Sequence, residues 1–168
     1  GWDMTAALVV IDMQVSLIED ETPNTDEIMS AVFRLVERAR GDGVPVVWVL
    51  DTGVTPDPSL HPVFKPKPGE AVVRKDVCNA FVGTTLAGEL GGRGVDRIVV
   101  CGMQSDACID ETVHAAPNYG FAVTLVGDAH TTHDFHKRDF RDVIATVNSN
   151  LAKLKDVEVA GLAEVTLA

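Results

Sequence analysis

Several features typical of other protein classes are missing from this 168-residue chain. No uninterrupted apolar stretch approaches the roughly 20 residues that a helix needs to cross a bilayer, so we expect no membrane partner. Basic residues are scarce, because 14 Lys and Arg stand against 25 Asp and Glu and give a formal net charge of −11. Affinity for nucleic acid rests on cations that neutralise phosphates, so nucleic acid is not an expected partner either.

Cysteine is also scarce. The three residues, Cys78, Cys101 and Cys108, form an odd set without Cys-x-x-Cys spacing, which disfavours a disulfide framework or a cysteine-rich zinc site. The first residues lack a basic segment followed by a secretory apolar core. Together these features predict a protein of the reducing cytoplasm.

The sequence does contain enough apolar residues, 46%, for a globular core, and its length suits one domain over residues 1–168. Short apolar runs alternate with segments of helical periodicity. We predict strands at 7–12, 44–50, 71–75, 97–101, 121–126 and 157–159, and helices at about 28–39, 84–90, 107–118 and 139–154. This alternation calls for right-handed crossovers and a parallel sheet with helices on both faces, a doubly wound α/β fold.

Two charged residues end predicted strands. Asp12 closes the first apolar run and Lys75 closes the third, and functional sites of doubly wound sheets collect at the carboxyl ends of strands. A buried carboxylate is costly unless it is paired, and a lysine at the same edge would pair it. The pair could be a structural salt bridge or part of an active site.

Cys108 follows the fourth strand closely, in the first turn of a predicted helix that Ser105 or Asp106 could cap. There the helix dipole would stabilise a thiolate, and the N–H groups of Ala107 and Cys108 could bind the oxyanion of a tetrahedral intermediate. The alternative is that Cys108 is a small buried core residue.

With a thiol beside them, the two charged residues gain chemical roles. Asp12 could accept the thiol proton, and Lys75 would keep a positive charge near the developing anions.

Three blocks of this sequence, in order, closely resemble the isochorismatase-like cysteine hydrolases: LVVIDMQ at residues 8–14, the segment 72–86, and the segment 101–108. Further matches continue to residue 129. The resemblance implies a six-stranded parallel sheet, an Asp–Lys–Cys triad at Asp12, Lys75 and Cys108, and a cis peptide between Met103 and Gln104. It also implies a homo-oligomer, a dimer or a tetramer.

The nicotinamidases of this family bind a metal through an Asp-x-His pair after the second strand. Here that position reads Asp51-Thr52-Gly53, with only His61 nearby, so we expect no metal and no cofactor. His130, His133 and His136 have zinc-ligand character, but the resemblance places them in a variable loop after the fifth strand, and what they bind stays open.

We therefore predict hydrolysis of a small amide, carbamoyl or lactam-like substrate through a thioester. Gln14, Asn79, Phe81, Leu60 and His61 are the predicted pocket residues. Two alternatives remain: vinyl-ether hydrolysis of the isochorismatase type, which would depend little on the thiol, and a catalytically idle binding or scaffold protein.

Overall fold

A computed structural model describes residues 4–168 and contains one six-stranded sheet in the order β3-β2-β1-β4-β5-β6. Every neighbouring pair of strands in it is parallel. The strands are β1 Ala6–Ile11, β2 Val46–Asp51, β3 Ala71–Lys75, β4 Arg97–Met103, β5 Ala122–Thr131 and β6 Val157–Ala160. The predicted doubly wound α/β fold is confirmed.

Helices cover both faces of this sheet. They are α1 Val15–Glu21, α2 Thr25–Gly41, α3 Leu86–Gly91, α4 Asp110–Ala115 and α5 Phe140–Leu151. All six residues of β1 are buried, and their side chains alternate between two core clusters, one beneath α3, α4 and α5 and the other beneath α2. Within residues 4–168, no helix combines the length and apolar character that a transmembrane span requires.

Helix α2 buries the apolar stripe that its sequence predicts. Six residues at helical spacing face the sheet: Ile28, Ala31, Val32, Leu35, Val36 and Ala39. Burial of each Ile, Leu or Val side chain among them contributes about 1.5 to 3 kcal/mol to the stability of the folded protein. Asn24 does not cap this helix through its side chain; its Oδ1 instead accepts a hydrogen bond from Thr131 Oγ1 at 2.7 Å, because the end of β5 lies beside the helix start.

Two predicted elements differ in the structure. β5 continues to Thr131 and pairs His130 with Gly102 of β4, so His130 lies in a strand and not in a loop. The single helix predicted at 107–118 is three pieces: a π-helical turn at Ser105–Ile109, then α4, then a 3-10 turn at Ala116–Tyr119. Neither Ser105 nor Asp106 is the N-cap, which is Gln104.

Candidate active site

Three strands that are neighbours in the sheet deliver charged residues to one edge. Asp12 follows β1 in a left-handed backbone conformation, with φ 54°, and its amide donates to the carbonyl of Val49 at 2.9 Å. Asp51 ends β2 in register with Lys75, which ends β3. A residue without glycine's freedom tolerates such a φ only where surrounding contacts hold it, which is common at functional sites.

The ammonium of Lys75 lies between the other three reactive groups at the carboxyl ends of these strands. Its Nζ is 3.1 Å from Asp12 Oδ2, 2.9 Å from Asp51 Oδ2 and 3.1 Å from Cys108 Sγ. Lys75 and Asp12 are each only 1% exposed. The structure thus brings the three predicted catalytic residues together, and it adds Asp51.

Asp12 has one paired and one free oxygen. Burial raises the pKa of its carboxyl to about 6, against the opposing positive charge of Lys75. Its Oδ1 is buried and has no hydrogen-bond partner among the side-chain contacts of residues 4–168. A carboxylate with a free lone pair and a pKa near neutrality is suited to accept and return a proton.

The Cys108 thiol is held in its neutral form. Burial and then the negative charge of Asp12 raise its pKa, and together they outweigh the ammonium of Lys75. The sequence predicts a thiolate stabilised by a helix N-terminus. The structure favours a protonated thiol instead, because the residue is 7% exposed and a carboxylate lies beside it.

The π-helical turn changes which backbone N–H groups are free. The Gln104 carbonyl accepts hydrogen bonds from the N–H of Ala107 and from the N–H of Ile109, both at 3.1 Å. Of the two N–H groups predicted for the oxyanion, that of Ala107 is therefore one of these donors, whereas that of Cys108, which lies between them in sequence, does not donate to this carbonyl. The Met103–Gln104 peptide bond, which leads into this turn, is cis.

Gly102 explains how β4 approaches β1 so closely at the site. Its φ is 117°, and a Cβ built on it would lie 2.0 Å from the carbonyl oxygen of Ile11. No side chain fits there, so this position requires glycine. The end of β4 can then lie beside Asp12, and the turn that follows β4 carries Cys108 to the site.

A cavity of about 300 Å³ opens beside Cys108. This size is at the lower end of the range for ligand pockets, so it suits a small substrate. Its lining combines the reacting groups with the end of α1 and the loop after β2: Asp12, Leu17, Glu21, Asp51, Gly53, Val54, Thr55, Cys78, Gln104, Ala107 and Cys108.

None of the five predicted pocket residues, all within the described residues 4–168, is in this lining, but Gln14 and Leu60 line a neighbouring cavity of about 580 Å³ that shares Asp51 with it. Gln14 is buried and holds the end of β2: its Oε1 accepts from the Asp51 N–H at 2.9 Å, and its Nε2 donates to the Asp51 carbonyl at 2.8 Å. Leu60 pairs with Gln14 through a backbone bridge, and the His61 N–H donates to the Met13 carbonyl.

The other two, Asn79 and Phe81, follow Cys78 in the chain. The Phe81 ring is buried and stacks on Tyr119 with a centroid distance of 4.6 Å. Asn79 accepts a hydrogen bond from the Phe81 N–H at 3.0 Å. Both side chains are therefore engaged in packing and in shaping the chain after β3.

The sequence analysis missed Asp51 and Glu21 as site residues. Asp51 carried a detectable signal, because it ends a buried strand, as Asp12 and Lys75 do. Glu21 carried none, because α1 was not predicted and an exposed glutamate at a helix end is common.

A metal ion would need ligands that are already engaged. Asp12, Asp51 and Cys108 lie within 4.8 Å of one another, but the same three groups surround the Lys75 ammonium, which already supplies the positive charge. These residues therefore do not fit a resident metal.

The three histidines do not form a common centre. His130 is buried and hydrogen-bonded to Ser105 and Asn148 through its two ring nitrogens. His133 packs against Phe135 with a ring-centroid distance of 4.3 Å, and His136 is exposed.

Comparison with known proteins gives consistent matches. A family model described as "Isochorismatase domain" matches residues 6–157. A streptothricin hydrolase of Streptomyces noursei is 34% identical over 138 residues, which cover 76% of this chain and 55% of that protein. An uncharacterized isochorismatase family protein of Bacillus subtilis is 33% identical over 142 residues, covering 77% of this chain and 79% of that protein.

Among solved structures, an isochorismatase from Pseudomonas putida superposes with a TM-score of 0.87 at 28% identity, covering 96% of this chain and 90% of that one. The chain spans 55% and 57% of the length of the two streptothricin hydrolases that it matches.

Proposed function

Because the chain belongs to the isochorismatase family, whose model matches residues 6–157, we propose that it is a cysteine-dependent hydrolase of a small amide, carbamoyl or lactam-like substrate. One observation carries the proposal: Lys75 Nζ lies 3.1 Å from both Asp12 Oδ2 and Cys108 Sγ, beside a cavity that Asp12 and Cys108 line. The relative named for hydrolysis of streptothricin supports a hydrolytic reaction.

Acylation begins from a neutral thiol and an ionised Asp12. Cys108 Sγ attacks the carbonyl carbon while its proton passes to the free Oδ1 of Asp12, so the thiolate forms only as the C–S bond forms. The carbonyl oxygen becomes negative and is stabilised by the Cys108 N–H. Asp12 then gives the proton to the leaving nitrogen, the C–N bond breaks, and a thioester remains.

Deacylation uses the same carboxylate. Asp12 takes a proton from a water molecule as the water oxygen attacks the thioester carbon. The C–S bond breaks, the departing sulfur receives that proton, and the product is a carboxylic or carbamic acid. Lys75 stays protonated throughout: burial lowers the pKa of its ammonium, but the carboxylates of Asp12 and Asp51 raise it by more.

The test is turnover by Cys108→Ala, measured as ammonia released from a panel of primary amides and ureas. We expect loss of at least about 10³-fold, because no nucleophile remains. Cys101→Ala is the matched control, since Cys101 is buried in β4 and belongs to the cluster on the opposite face of the sheet. Retained ammonia release in Cys108→Ala would contradict acyl-enzyme chemistry.

A second readout follows the intermediate directly. Acid quenching during turnover of a slow substrate, followed by intact mass measurement, should show the mass of the acyl group on the parent and on Cys101→Ala, but not on Cys108→Ala. A parent enzyme that turns over substrate without this adduct under single-turnover conditions would contradict the thioester route.

A further inference from the structure

The charges around the catalytic cavity are unbalanced. Three carboxylates line it, those of Asp12, Asp51 and Glu21, and one ammonium, that of Lys75, contacts two of them. At neutral pH, above the pKa of Asp12 of about 6, these four groups leave two negative charges while Cys108 is a neutral thiol. The formal net charge of the whole chain is also negative, at −11.

Glu21 differs from the other two carboxylates. Asp12 and Asp51 both contact Lys75, whereas Glu21 ends α1, is exposed to solvent and takes part in none of the ion pairs found within residues 4–168. Its carboxylate is therefore free to receive a positive charge from a ligand.

The cavity lining also includes apolar side chains. Leu17 lies one helical turn earlier on the same face of α1, and Val54 contributes from the loop after β2. A ligand here would meet the nucleophile, apolar side chains and a free carboxylate in one cavity.

On the basis of the proposed hydrolase function, we propose that this site selects small amides that carry an ammonium or another cationic group, with Glu21 as the residue that receives the cation. A substrate with a carboxylate would meet the uncompensated negative charge and be disfavoured. Electrostatic focusing in a cleft of one sign raises the local concentration of the opposite charge, and we expect discrimination on the order of tenfold or more.

Charged thiol reagents test the inference without needing turnover. The two methanethiosulfonates carry a trimethylammonium-ethyl or a sulfonato-ethyl group and so differ in the sign of their charge. Each forms a disulfide between Cys108 and its thioethyl sulfur, the thiol proton passes to Asp12 or to water, and methanesulfinate leaves. Rates at Cys108, followed by peptide mass mapping and divided by each reagent's rate with 2-mercaptoethanol, give a cation-to-anion ratio. We expect a ratio of about ten or more in 50 mM salt that falls as salt screens the charges.

Variants assign the preference to a residue. Glu21→Gln should lower the ratio several-fold, because it removes one of the two uncompensated charges. Glu19→Gln is the matched control: it makes the same change at another exposed position of α1 that does not line the cavity, and the ratio should stay close to that of the parent. A parent ratio near one, or an equal fall in both variants, would overturn the proposal.

Three amides of similar size connect this result to catalysis: 3-aminopropanamide, butanamide and succinamate, which are cationic, neutral and anionic at pH 7. We expect kcat/KM to decrease in that order and the cationic preference to weaken in Glu21→Gln. If no amide in a wider panel reacts, the proposed hydrolase function fails while the reagent ratio still decides the charge inference. If amides react but the anion is preferred, the charge inference fails and the hydrolase function stands.

Discussion

At the scale of single residues, the proton of Cys108 is the feature that controls chemistry. The raised pKa of the thiol keeps it neutral, and the free Oδ1 of Asp12 can accept the proton. Catalysis then requires Asp12 to be ionised before the reaction, and its pKa of about 6 places that requirement just below neutral pH.

This arrangement predicts the acid side of the pH–rate profile. The ionised fraction of Asp12 falls below about pH 6, so kcat/KM should decrease there with a slope of about tenfold per pH unit and be level from about pH 7 to 9. Steady-state assays from pH 4.5 to 9, with circular dichroism to show that the protein stays folded, measure it. A level profile down to pH 4.5 would contradict Asp12 as the base.

The sequence predicted the triad because each member follows a recognisable strand and because three ordered blocks resemble one family. It did not predict the cavity walls. Gln14, a predicted pocket residue, lines the neighbouring cavity, and its amide binds backbone groups of Asp51 and Pro58, far along the chain. Loop conformations that depend on such long-range hydrogen bonds carry no local periodicity.

At the scale of elements, a buried hydrogen-bonded chain joins the π-helical turn, β5 and α5. Asn148 Nδ2 donates to the Gly127 carbonyl at 2.9 Å, which fixes the amide so that its Oδ1 accepts from His130 Nε2–H at 2.7 Å. His130 Nδ1 is then the acceptor for the Ser105 hydroxyl, also at 2.7 Å. These hydrogen bonds therefore connect the π-helical turn that carries Cys108 to β5 and α5.

This connection predicts a pH-dependent stability. Burial lowers the pKa of His130 to about 4 from 6.5, so the folded protein binds fewer protons there than the unfolded chain between these values. The contribution of His130 is present above about pH 6.5 and is lost as the pH falls toward 4. It amounts to about 2 kcal/mol between pH 7 and pH 5.

Urea unfolding of the parent and of His130→Gln at pH 7 and pH 5 measures it, and comparing the two proteins cancels the other titrating groups. The variant should lose about 2 kcal/mol less than the parent on acidification. His114→Gln, a change at an exposed histidine, should behave like the parent. Equal losses in parent and His130→Gln would contradict a buried neutral His130.

The boundaries of an element could be predicted only where one side-chain periodicity continued along the whole element. The six apolar positions of α2 follow an unbroken helical spacing, and the helix forms around them. Between Ser105 and Tyr119, apolar residues keep roughly the same spacing while the backbone passes from a π-helical turn to an α-helix and then to a 3-10 turn. Side-chain periodicity does not distinguish these hydrogen-bond patterns over so few residues.

At the scale of the whole molecule, the chain after β6 returns across the face that α2 covers. Arg38 of α2 donates to the carbonyls of Leu162 and Val165, at 2.9 and 2.7 Å. Val165 and Leu167 are buried, and both belong to the apolar cluster beneath α2. The last residues therefore help to close one of the two cores.

Leu167→Ala should lower the free energy of unfolding by about 2 to 5 kcal/mol, because it removes buried methyl groups and leaves a cavity. Chemical denaturation followed by tryptophan fluorescence measures this change. Thr166→Ala is the matched neighbour: its side chain is exposed, and its carbonyl, which accepts from Arg97, is kept, so a change below about 0.5 kcal/mol is expected. Similar effects of both substitutions would contradict a core role for Leu167.

The neutral thiol of Cys108 also bears on how the protein withstands oxygen. Peroxide attacks thiolates, and a cysteine held permanently as a thiolate is a ready target for conversion to sulfenic and then irreversible sulfinic acid. Here burial and the negative charge of Asp12 raise the pKa of the thiol and so favour its protonated form. We therefore expect Cys108 to react with peroxide more slowly than a cysteine held as a thiolate.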